Sequence, residues 1–597
     1  MTDILYLLLI PAGAGVLSLL LPRRAKIVAE IIGLLGSAGA LFYCVLIYLR
    51  YNSFTNAWWR IDGLSRFILL FCGIFGFIIT LYSLPYMRKF KKLNEYYGYL
   101  LFTIAGSFGV VLANNLILFL ALWGFLGLTL YLLVNISDEG SPAAKKTMII
   151  VGGADCLMIF GIVVLILMTF SFRMDQMNVN VSVSPLAALA FVVLALAAFA
   201  KAGVMPMHTW IPDYTQYAPT SVAAYLPASL NKLLGIYLLM RLVKDIFKLN
   251  NAMQIFLLAI GAFTIIAGVM MALIQHDVKR VLSYDAISQV GYMVLGIGTL
   301  NSIGFSGGLF HMLNSAIFTG CLFLTAGSVE HRSGTTDLDK LGGLSRYMPV
   351  TFIAFIISAL AISGVPPLNG FFSKWMIYQG IIKLGEKSKL WILWIACAMF
   401  GSALTLASFM KLLHAIFLGQ KADYKKEIKE VNFAMLLPQI FLAALCFVFG
   451  IWAFNVPLSK LIYPAVGSVP HFVGWWEPCL ATILIIVGIL IGAIIYVAGK
   501  VKVREEEHPF IGGEILPEEA RITGVDFYKT VEEMCVIRSF YGWAKKKLFD
   551  IYELCKRMFL YLGSKISKLH TGVLTSYIGW IFFGFIIILF VVWMLKW

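Results

Sequence analysis

Charged residues are scarce in this sequence. They make up 13% of the 597 residues, whereas hydrophobic residues make up 60%, and the mean hydropathy is +0.87. Soluble domains contain about 25% charged residues, so this scarcity excludes a soluble multidomain enzyme, a nucleic-acid-binding protein and a disordered scaffold. The formal charge of +16 does not indicate nucleic acid, because the basic residues form short clusters between apolar runs, as in membrane proteins. The composition predicts an integral membrane protein.

Cysteine pairs with metal-binding spacing are also absent. No two of the nine cysteines form a C-x-x-C pair, and most lie inside apolar runs, which excludes an iron–sulfur, zinc or disulfide framework. We therefore predict no cofactor, no metal and no redox centre in the chain itself. The first 24 residues lack the basic region that begins a signal peptide, and we expect them to form a membrane helix.

Apolar runs fill most of the chain. A helix needs about 20 apolar residues to cross the hydrocarbon layer, and about sixteen segments, among them 280–300, 349–379, 477–499 and 575–596, meet that length. The sequence thus predicts an all-α polytopic membrane protein. Basic residues are concentrated in the loops after odd-numbered helices, which predicts that these loops face the cytoplasm.

Residues 500–574 form the one long polar stretch. Its second part, VEEMCVIRSFYGWAKKKLFDIYELCKRMFLYLGSKISKL, has apolar residues at three- and four-residue spacing with lysines between them. This pattern predicts an amphipathic helix lying along the membrane interface. A soluble cytoplasmic tail is the alternative, but an apolar run follows the stretch and tethers it at both ends.

Lys201 lies deep in an apolar run, in LALAAFAKAGVMPMHTWIPD. A charge at mid-bilayer costs at least about 3 kcal/mol, so an ionisable residue there is a functional candidate. Pro206, five residues later, breaks the helix, and the freed carbonyls attract water, which predicts a hydrated pocket. A lysine that reaches the interface from a helix end is the alternative.

Two more lysines lie beside prolines. Pro227 precedes Lys232 in SVAAYLPASLNKLLGIYLLMRL, and Lys374 follows two prolines in ALAISGVPPLNGFFSKWM. Two proline-broken helices in different halves of a transporter indicate an internal repeat with sites near the midplane. We predict helix breaks at Pro206, Pro227, Pro366 and Pro367.

Further ionisable residues lie in apolar context. His311 is a candidate proton carrier because its usual pKa is near neutral, with a packing role as the alternative. Asp155 is either the partner of a nearby lysine or a structural hydrogen-bond acceptor. His414 either continues a polar path toward one surface or has no part in ion transfer. Asp277 and Asp285 lie in HDVKRVLSYDAISQVGYM, which we interpret as mainly structural, with gating of the inner mouth by these two residues as the alternative.

These segments together resemble the antiporter-like subunits of respiratory complex I, of multisubunit sodium/proton antiporters and of energy-converting membrane hydrogenases. The matching strings include KAGVMPMHTWIPDY, LPASLNKLLGIYLLMR, FHMLNSAIF and GVPPLNGFFSK, in the family's order, and the tail HPFIGGE…LHTGVLTSYIGW is closest to the hydrogenase branch. The resemblance implies two inverted five-helix repeats with broken helices. It divides the chain into N-terminal helices (1–96), a first repeat (97–242), a second repeat (253–418), additional helices (430–500), a cytoplasmic segment with the lateral helix (501–574) and a final helix (575–597).

The resemblance also implies site residues. In the family a glutamate pairs with the lysine at the position of Lys201, and protons then pass residues at the positions of Lys232, His311 and Lys374. This sequence departs from the family twice. Gly124 stands where the glutamate is expected, and in the central helix Ser315 and Thr319 stand where the family carries a second histidine and a lysine.

The resulting hypothesis is a proton-translocating subunit of a redox-driven complex of the hydrogenase type. The expected partners are other membrane subunits, peripheral iron–sulfur and nickel–iron subunits, the bilayer, and protons or sodium ions, with no nucleic acid. The expected location is the inner (cytoplasmic) membrane. The alternatives are a stand-alone or Mrp-type sodium/proton antiporter subunit and a structural subunit with an impaired channel.

Overall fold

A computed structural model describes most of the chain. The described residues are 2–386, 388–420, 422, 424, 427–473, several positions between 480 and 494, 525, 528, 532–570 and 572–595. The chain divides into two compact units, Met1–Met534 and Cys535–Trp597. The predicted helix 477–499 and the first part of the predicted segment 501–574 lie largely outside the described residues.

Long helices build the first unit. The first six are α1 (Thr2–Leu20), α2 (Lys26–Arg50), α3 (Gly63–Tyr86), α4 (Leu93–Leu112), α5 (Leu116–Val134) and α6 (Ser141–Thr169). The next six are α7 (Pro185–Ala202), α8 (Trp210–Tyr217), α9 (Thr220–Tyr225), α10 (Asn231–Arg241), α11 (Asn251–Leu273) and α12 (Val278–Gly298). The last six are α13 (Ser302–Ser333), α14 (Pro349–Ser363), α15 (Asn369–Lys383), α16 (Trp391–Leu413), α17 (Phe433–Ile451) and α18 (Tyr463–Val466).

Two short strand pairs join loops at the helix ends. Strand β1 (Phe54–Thr55) pairs antiparallel with β2 (Arg60–Ile61), and β3 (Val179–Asn180) pairs parallel with β4 (Phe247–Lys248). Within the described residues, 13 helices are long and apolar enough to span a membrane. The predicted segments 280–300 and 349–379 correspond to α12 and to the α14–α15 pair. The chain is therefore an all-α polytopic membrane protein, as the sequence predicts.

Two helices are interrupted where the sequence predicts a break. Helix α7 ends at Ala202 because Gly203 adopts a left-handed φ of 89°, and the chain becomes helical again only after Pro206. Helix α14 ends before Gly364, whose φ is 82°, and α15 begins after Pro366 and Pro367. Each interruption lies in the helix that is the fourth expected membrane span of its predicted repeat. The repeat itself stays a prediction.

The predicted break at Pro227 requires a correction. Residues Leu226–Leu230 form a π-helical turn, and the helical span Thr220–Ile246 continues through it. A π turn pairs residues five apart and absorbs an extra residue, so the chain accommodates the missing N–H of Pro227 without ending the helix.

Glycines allow close approach between α11 and α12. A Cβ atom added at Gly261 would lie 2.7 Å from the backbone nitrogen of Leu295, and one added at Gly291 would lie 2.7 Å from the backbone nitrogen of Ile265. Small residues at such crossings bring two membrane helices into backbone contact. This contact fixes α12, which carries Asp285 and Gln289, against its neighbour.

The second unit contains three helices. They are α19 (Cys535–Lys545), α20 (Ile551–Leu569) and α21 (Leu574–Leu595), and Asp550 caps α20 by accepting a hydrogen bond from the backbone of Tyr552. Exposed apolar residues alternate with lysines along α20, and Leu574–Met594 is long and apolar enough to span a membrane. The position of α20 along the interface stays a prediction.

Candidate functional site

Two charged clusters mark opposite ends of α3. At its start, Asp62 accepts hydrogen bonds from both terminal nitrogens of Arg241, at 2.8 and 2.6 Å, and Arg241 also contacts Asp245. Burial alone would raise the pKa of the Asp62 carboxyl, but the guanidinium of Arg241 holds this pKa well below its usual range. At the other end, the hydroxyl of Tyr86 donates to Glu330. The 24 residues of α3 span about 36 Å, so the two clusters lie a membrane thickness apart.

Lys232 lies near the middle of this thickness. Thr220, which donates to Glu330, precedes Lys232 by twelve residues in one helical span, and Arg241 follows it by nine. The Lys232 side chain is 1% exposed. Its Nζ donates to the hydroxyls of Ser315 at 3.3 Å and Thr319 at 3.4 Å, so two neutral oxygens on successive turns of α13 hold this ammonium.

Lys201 is buried against α5. It is 1% exposed, its Nζ lies 5.0 Å from the ring centroid of Trp123, and it donates to the Trp123 carbonyl at 3.5 Å. The indole Nε1 of Trp123 donates to Asp155 at 3.0 Å, and the Asp155 charge acts on Lys201. Asp155 is therefore a hydrogen-bond acceptor, and the absence of a side chain at Gly127 leaves room for it. Its role as the partner of Lys201 stays a prediction.

His311 lies between the second and third lysines. It is fully buried in α13, one helical turn before Ser315. Its Nδ1 lies 2.9 Å from the Ser373 hydroxyl and its Nε2 lies 3.2 Å from the Gln289 side-chain oxygen. The charges of Lys232 and Lys374 both act on the ring. Both imidazole nitrogens thus have partners, on α12 and α15.

Lys374 lies at the second helix interruption. It is 2% exposed, and its Nζ donates to the Ile362 carbonyl at 2.8 Å and to the Ser402 hydroxyl at 3.0 Å. The Ile362 carbonyl belongs to the last turn of α14, where the break leaves carbonyls without helical partners. The ring centroid of Tyr292 lies 4.8 Å from the ammonium.

His414 lies outside this arrangement. It is exposed at the end of α16, whereas Lys411, three residues earlier, is 4% exposed. The charges of Lys411 and of Lys374 act on the buried carboxyl of Asp285. The expected continuation through His414 stays a prediction, and Lys411 is a second ionisable residue at this end of α16 that lies buried. The sequence held the signal, because Lys411 also interrupts an apolar run, in SFMKLLHAIFLG.

The sequence did not indicate the supporting side chains. Trp123, Gln289 and Tyr292 contact the predicted site residues only because α5 and α12 pack against the interrupted helices. Their types are ordinary in a helical core, so no pattern distinguishes them.

Three buried ammonium groups and a buried imidazole can exchange protons stepwise, provided that water joins them. In membrane bundles, buried groups of this kind mark candidate ion pathways. Residues 113–405 match the family described as NADH:quinone oxidoreductase/Mrp antiporter, transmembrane, and the chain is similar to antiporter-like subunits of membrane complexes.

One curated relative is subunit A1 of a Na⁺/H⁺ antiporter from Staphylococcus aureus (strain Newman). It is 32% identical over 440 residues, which cover 69% of this chain and 54% of the relative. The chain thus spans about half the length of the curated relatives it matches.

Two solved structures share the fold. A chain of the archaeal membrane-bound sulfane sulfur reductase, a respiratory membrane complex, superposes with a TM-score of 0.85 at 22% identity, covering 98% of this chain and 100% of that one. A chain of the Mrp complex from Dietzia sp. DQ12-45-1b gives a TM-score of 0.78 at 22% identity, covering 100% of this chain and 63% of that one.

Proposed function

We propose that this chain is a proton-translocating subunit of a redox-driven membrane complex. One observation carries the proposal, namely that Lys201, Lys232 and Lys374 are each at most 2% exposed and His311 is fully buried. Buried charges in a membrane bundle are costly, and in transporters they mark ion pathways.

The contacts suggest an order for the relay. Helices α7 and α10 touch beside Lys201 and Lys232, because a Cβ atom added at Gly235 would lie 2.7 Å from the Ala202 Cβ. Lys232 binds Ser315, one turn from His311, and His311 binds Ser373, the residue before Lys374. Protons would therefore move between Lys201, Lys232, His311 and Lys374, with water bridging the gaps at the helix interruptions.

The two departures from the family pattern have substitutes in this chain. Asp155 on α6 supplies a negative charge near Lys201, although Gly124 replaces the glutamate expected on α5. The Thr319 hydroxyl, which replaces the expected lysine, accepts a hydrogen bond from Lys232. These contacts favour a conducting chain over a structural subunit with an impaired channel.

The resemblance of the tail HPFIGGE…LHTGVLTSYIGW to the hydrogenase branch favours a redox complex. We infer that the chain lies in the cytoplasmic membrane and assembles with other membrane subunits and with peripheral iron–sulfur subunits. If the complex is a hydrogenase, a nickel–iron subunit is a further partner.

Donor-driven proton uptake by inverted vesicles that contain the intact complex tests this function. Lys232→Met keeps the volume and removes the ammonium, so we expect a stable complex whose electron transfer no longer drives proton uptake. The matched control is Lys91→Met, because Lys91 is exposed. Equal uptake by both variants would overturn the proposal.

A sodium/proton antiporter subunit is the second candidate, favoured by the 32% identity to the staphylococcal subunit. Under this function, an imposed pH gradient would drive sodium uptake without an electron donor, and the purified assembly would contain no iron–sulfur subunits. Sodium uptake that needs the donor, together with copurified iron–sulfur proteins, would reject this candidate.

A further inference from the structure

A buried carboxyl on α12 lies outside the relay described above. Asp285 is 1% exposed, and its Oδ2 accepts a hydrogen bond from the Ser408 hydroxyl at 2.8 Å. Its Oδ1 has no hydrogen-bond partner among the residues that the structure describes. A buried oxygen without a partner is costly unless water or a proton reaches it.

Lysines on two other helices act on this carboxyl. Lys374 on α15 and Lys411 on α16 both exert their charge on Asp285. The Nζ of Lys411 donates to the Leu273 carbonyl at 2.8 Å and to the Gln275 carbonyl at 3.0 Å. The Leu273 carbonyl ends α11, and the Gln275 carbonyl lies in the loop 274–277, which carries the exposed His276. Lys411 thus lies directly beneath one face of the bundle.

Helix α16 connects the two lysines. Its Ser402 hydroxyl accepts from Lys374, and its Ser408 hydroxyl donates to Asp285. Six residues separate the two serines, which corresponds to about 9 Å along the helix. The buried hydroxyl of Thr405 lies halfway between them. This distance suits one or two bridging water molecules.

We propose that Asp285 and Lys411 form a second proton-transfer branch, which joins Lys374 to the face that carries loop 274–277. The proposal rests on the proposed function. In each transfer an N–H bond of the Lys411 ammonium breaks and an O–H bond forms on the Asp285 carboxylate. The neutral Lys411 amine regains a proton from a hydronium ion at the loop, which leaves a neutral water molecule. Protonated Asp285 passes its proton to the neutral amine of Lys374, which leaves the Asp285 carboxylate.

The competing interpretation is that Asp285 and Lys411 only stabilise the bundle through their charges. The test therefore needs variants that keep the shape of the site. Asp285→Asn keeps an acceptor for Ser408 but takes up no proton, and Lys411→Gln keeps donors for the two carbonyls. Asp138→Asn and Lys91→Gln are matched controls on exposed residues. We expect donor-driven proton uptake by the intact complex to fall about tenfold or more in both site variants, with assembly and thermal midpoint unchanged and with recovery in Asp285→Glu.

Infrared spectroscopy adds a readout that a structural role would not move. The difference spectrum between the reduced and oxidised complex should contain a carboxylic acid C=O band that disappears in Asp285→Asn and shifts in Lys411→Gln. A spectrum without such a band, identical in all variants, would overturn the branch.

The failure of the branch and the failure of the proposed function give different results. Wild-type uptake in Asp285→Asn and Lys411→Gln, with none in Lys374→Met, would remove the branch and leave the relay. Wild-type uptake in all three would remove both.

Discussion

The Nζ of Lys232 lies 3.4 Å from the hydroxyl oxygen of Thr319. Position 319 is where the family resemblance implies a second lysine. A second ammonium there would repel the first, whereas the hydroxyl accepts its proton in a hydrogen bond. The middle of this bundle therefore carries one lysine where the family pattern implies two.

Removing that hydroxyl tests its role. Thr319→Val keeps the shape of the side chain but leaves Lys232 with Ser315 alone. Because a hydrogen bond to a charged group contributes about 1.5–3 kcal/mol, we expect a lower free energy of unfolding by that amount and slower proton uptake. Thr319→Ser restores the hydroxyl and should behave as wild type. Equal denaturation curves for the valine and serine variants would contradict this contact.

Asp155 should supply the counter-charge of Lys201. Asp155→Asn keeps an acceptor for the Trp123 indole but removes the charge, so we expect proton uptake to fall about tenfold, which corresponds to about 1.4 kcal/mol. Gly124 follows Trp123, and a Cβ atom there meets no atom within 4 Å. The double variant Asp155→Asn with Gly124→Glu should therefore recover uptake. Full activity of Asp155→Asn alone would show that Lys201 works without this charge.

The Asp62–Arg241 pair should make stability depend on acid pH. The Asp62 carboxylate has a lowered pKa in the folded protein, so its contribution is present above its unfolded pKa of about 3.9 and is lost as the pH falls below that value. Asp62→Asn should lower the free energy of unfolding at neutral pH by about 2 kcal/mol. This loss is smaller than the loss for a fully buried ion pair, because the Asp62 side chain is 25% exposed and solvent screens its charge.

Thermal unfolding in detergent between about pH 3 and pH 7 measures this dependence. The midpoint of the wild type should fall more steeply below about pH 4 than that of Asp62→Asn, and Asp138→Asn serves as the surface control. Parallel curves for the wild type and Asp62→Asn would contradict the assignment.

The contact between α11 and α12 should not tolerate a large side chain. Gly291→Leu would push α12 away from the backbone of Ile265, which lies 2.7 Å from the position of an added Cβ. We expect overpacking to destabilise the bundle by about 1–3 kcal/mol. The measurement is the yield and thermal midpoint of the purified protein. Gly579→Leu is the control, since a Cβ there meets no atom within 4 Å, and similar losses in both variants would argue against a specific contact.

Some parts of the site were predictable from sequence because they break a local rule. Lys201 and Lys374 stand out as charges in apolar runs beside prolines, and the structure places both at helix interruptions. The same rule predicts a break at Pro227, but the helix continues there through a π turn. The backbone hydrogen bonds of this turn accommodate the proline, and the sequence does not show them. For Asp155 the sequence left two roles open. The packing of α6 against α5 provides the hydrogen bond from Trp123, and the pairing with Lys201 stays a prediction.

Other parts depend on which face of a helix points inward. Lys411 and His414 are three residues apart in one apolar run, and composition alone does not separate them. The packing of α16 against the end of α11 buries Lys411 and leaves His414 exposed. The binding partners of His311 likewise come from two other helices.

The central claim is that water joins lysines that are buried at mid-membrane, and an experimental map of the intact complex that resolves ordered water tests it most directly. We predict water density between Lys201 and Lys232 and between His311 and Lys374, beside the two helix interruptions. Apolar side chains packed without water between these residues, in a complex that still pumps protons, would contradict the account.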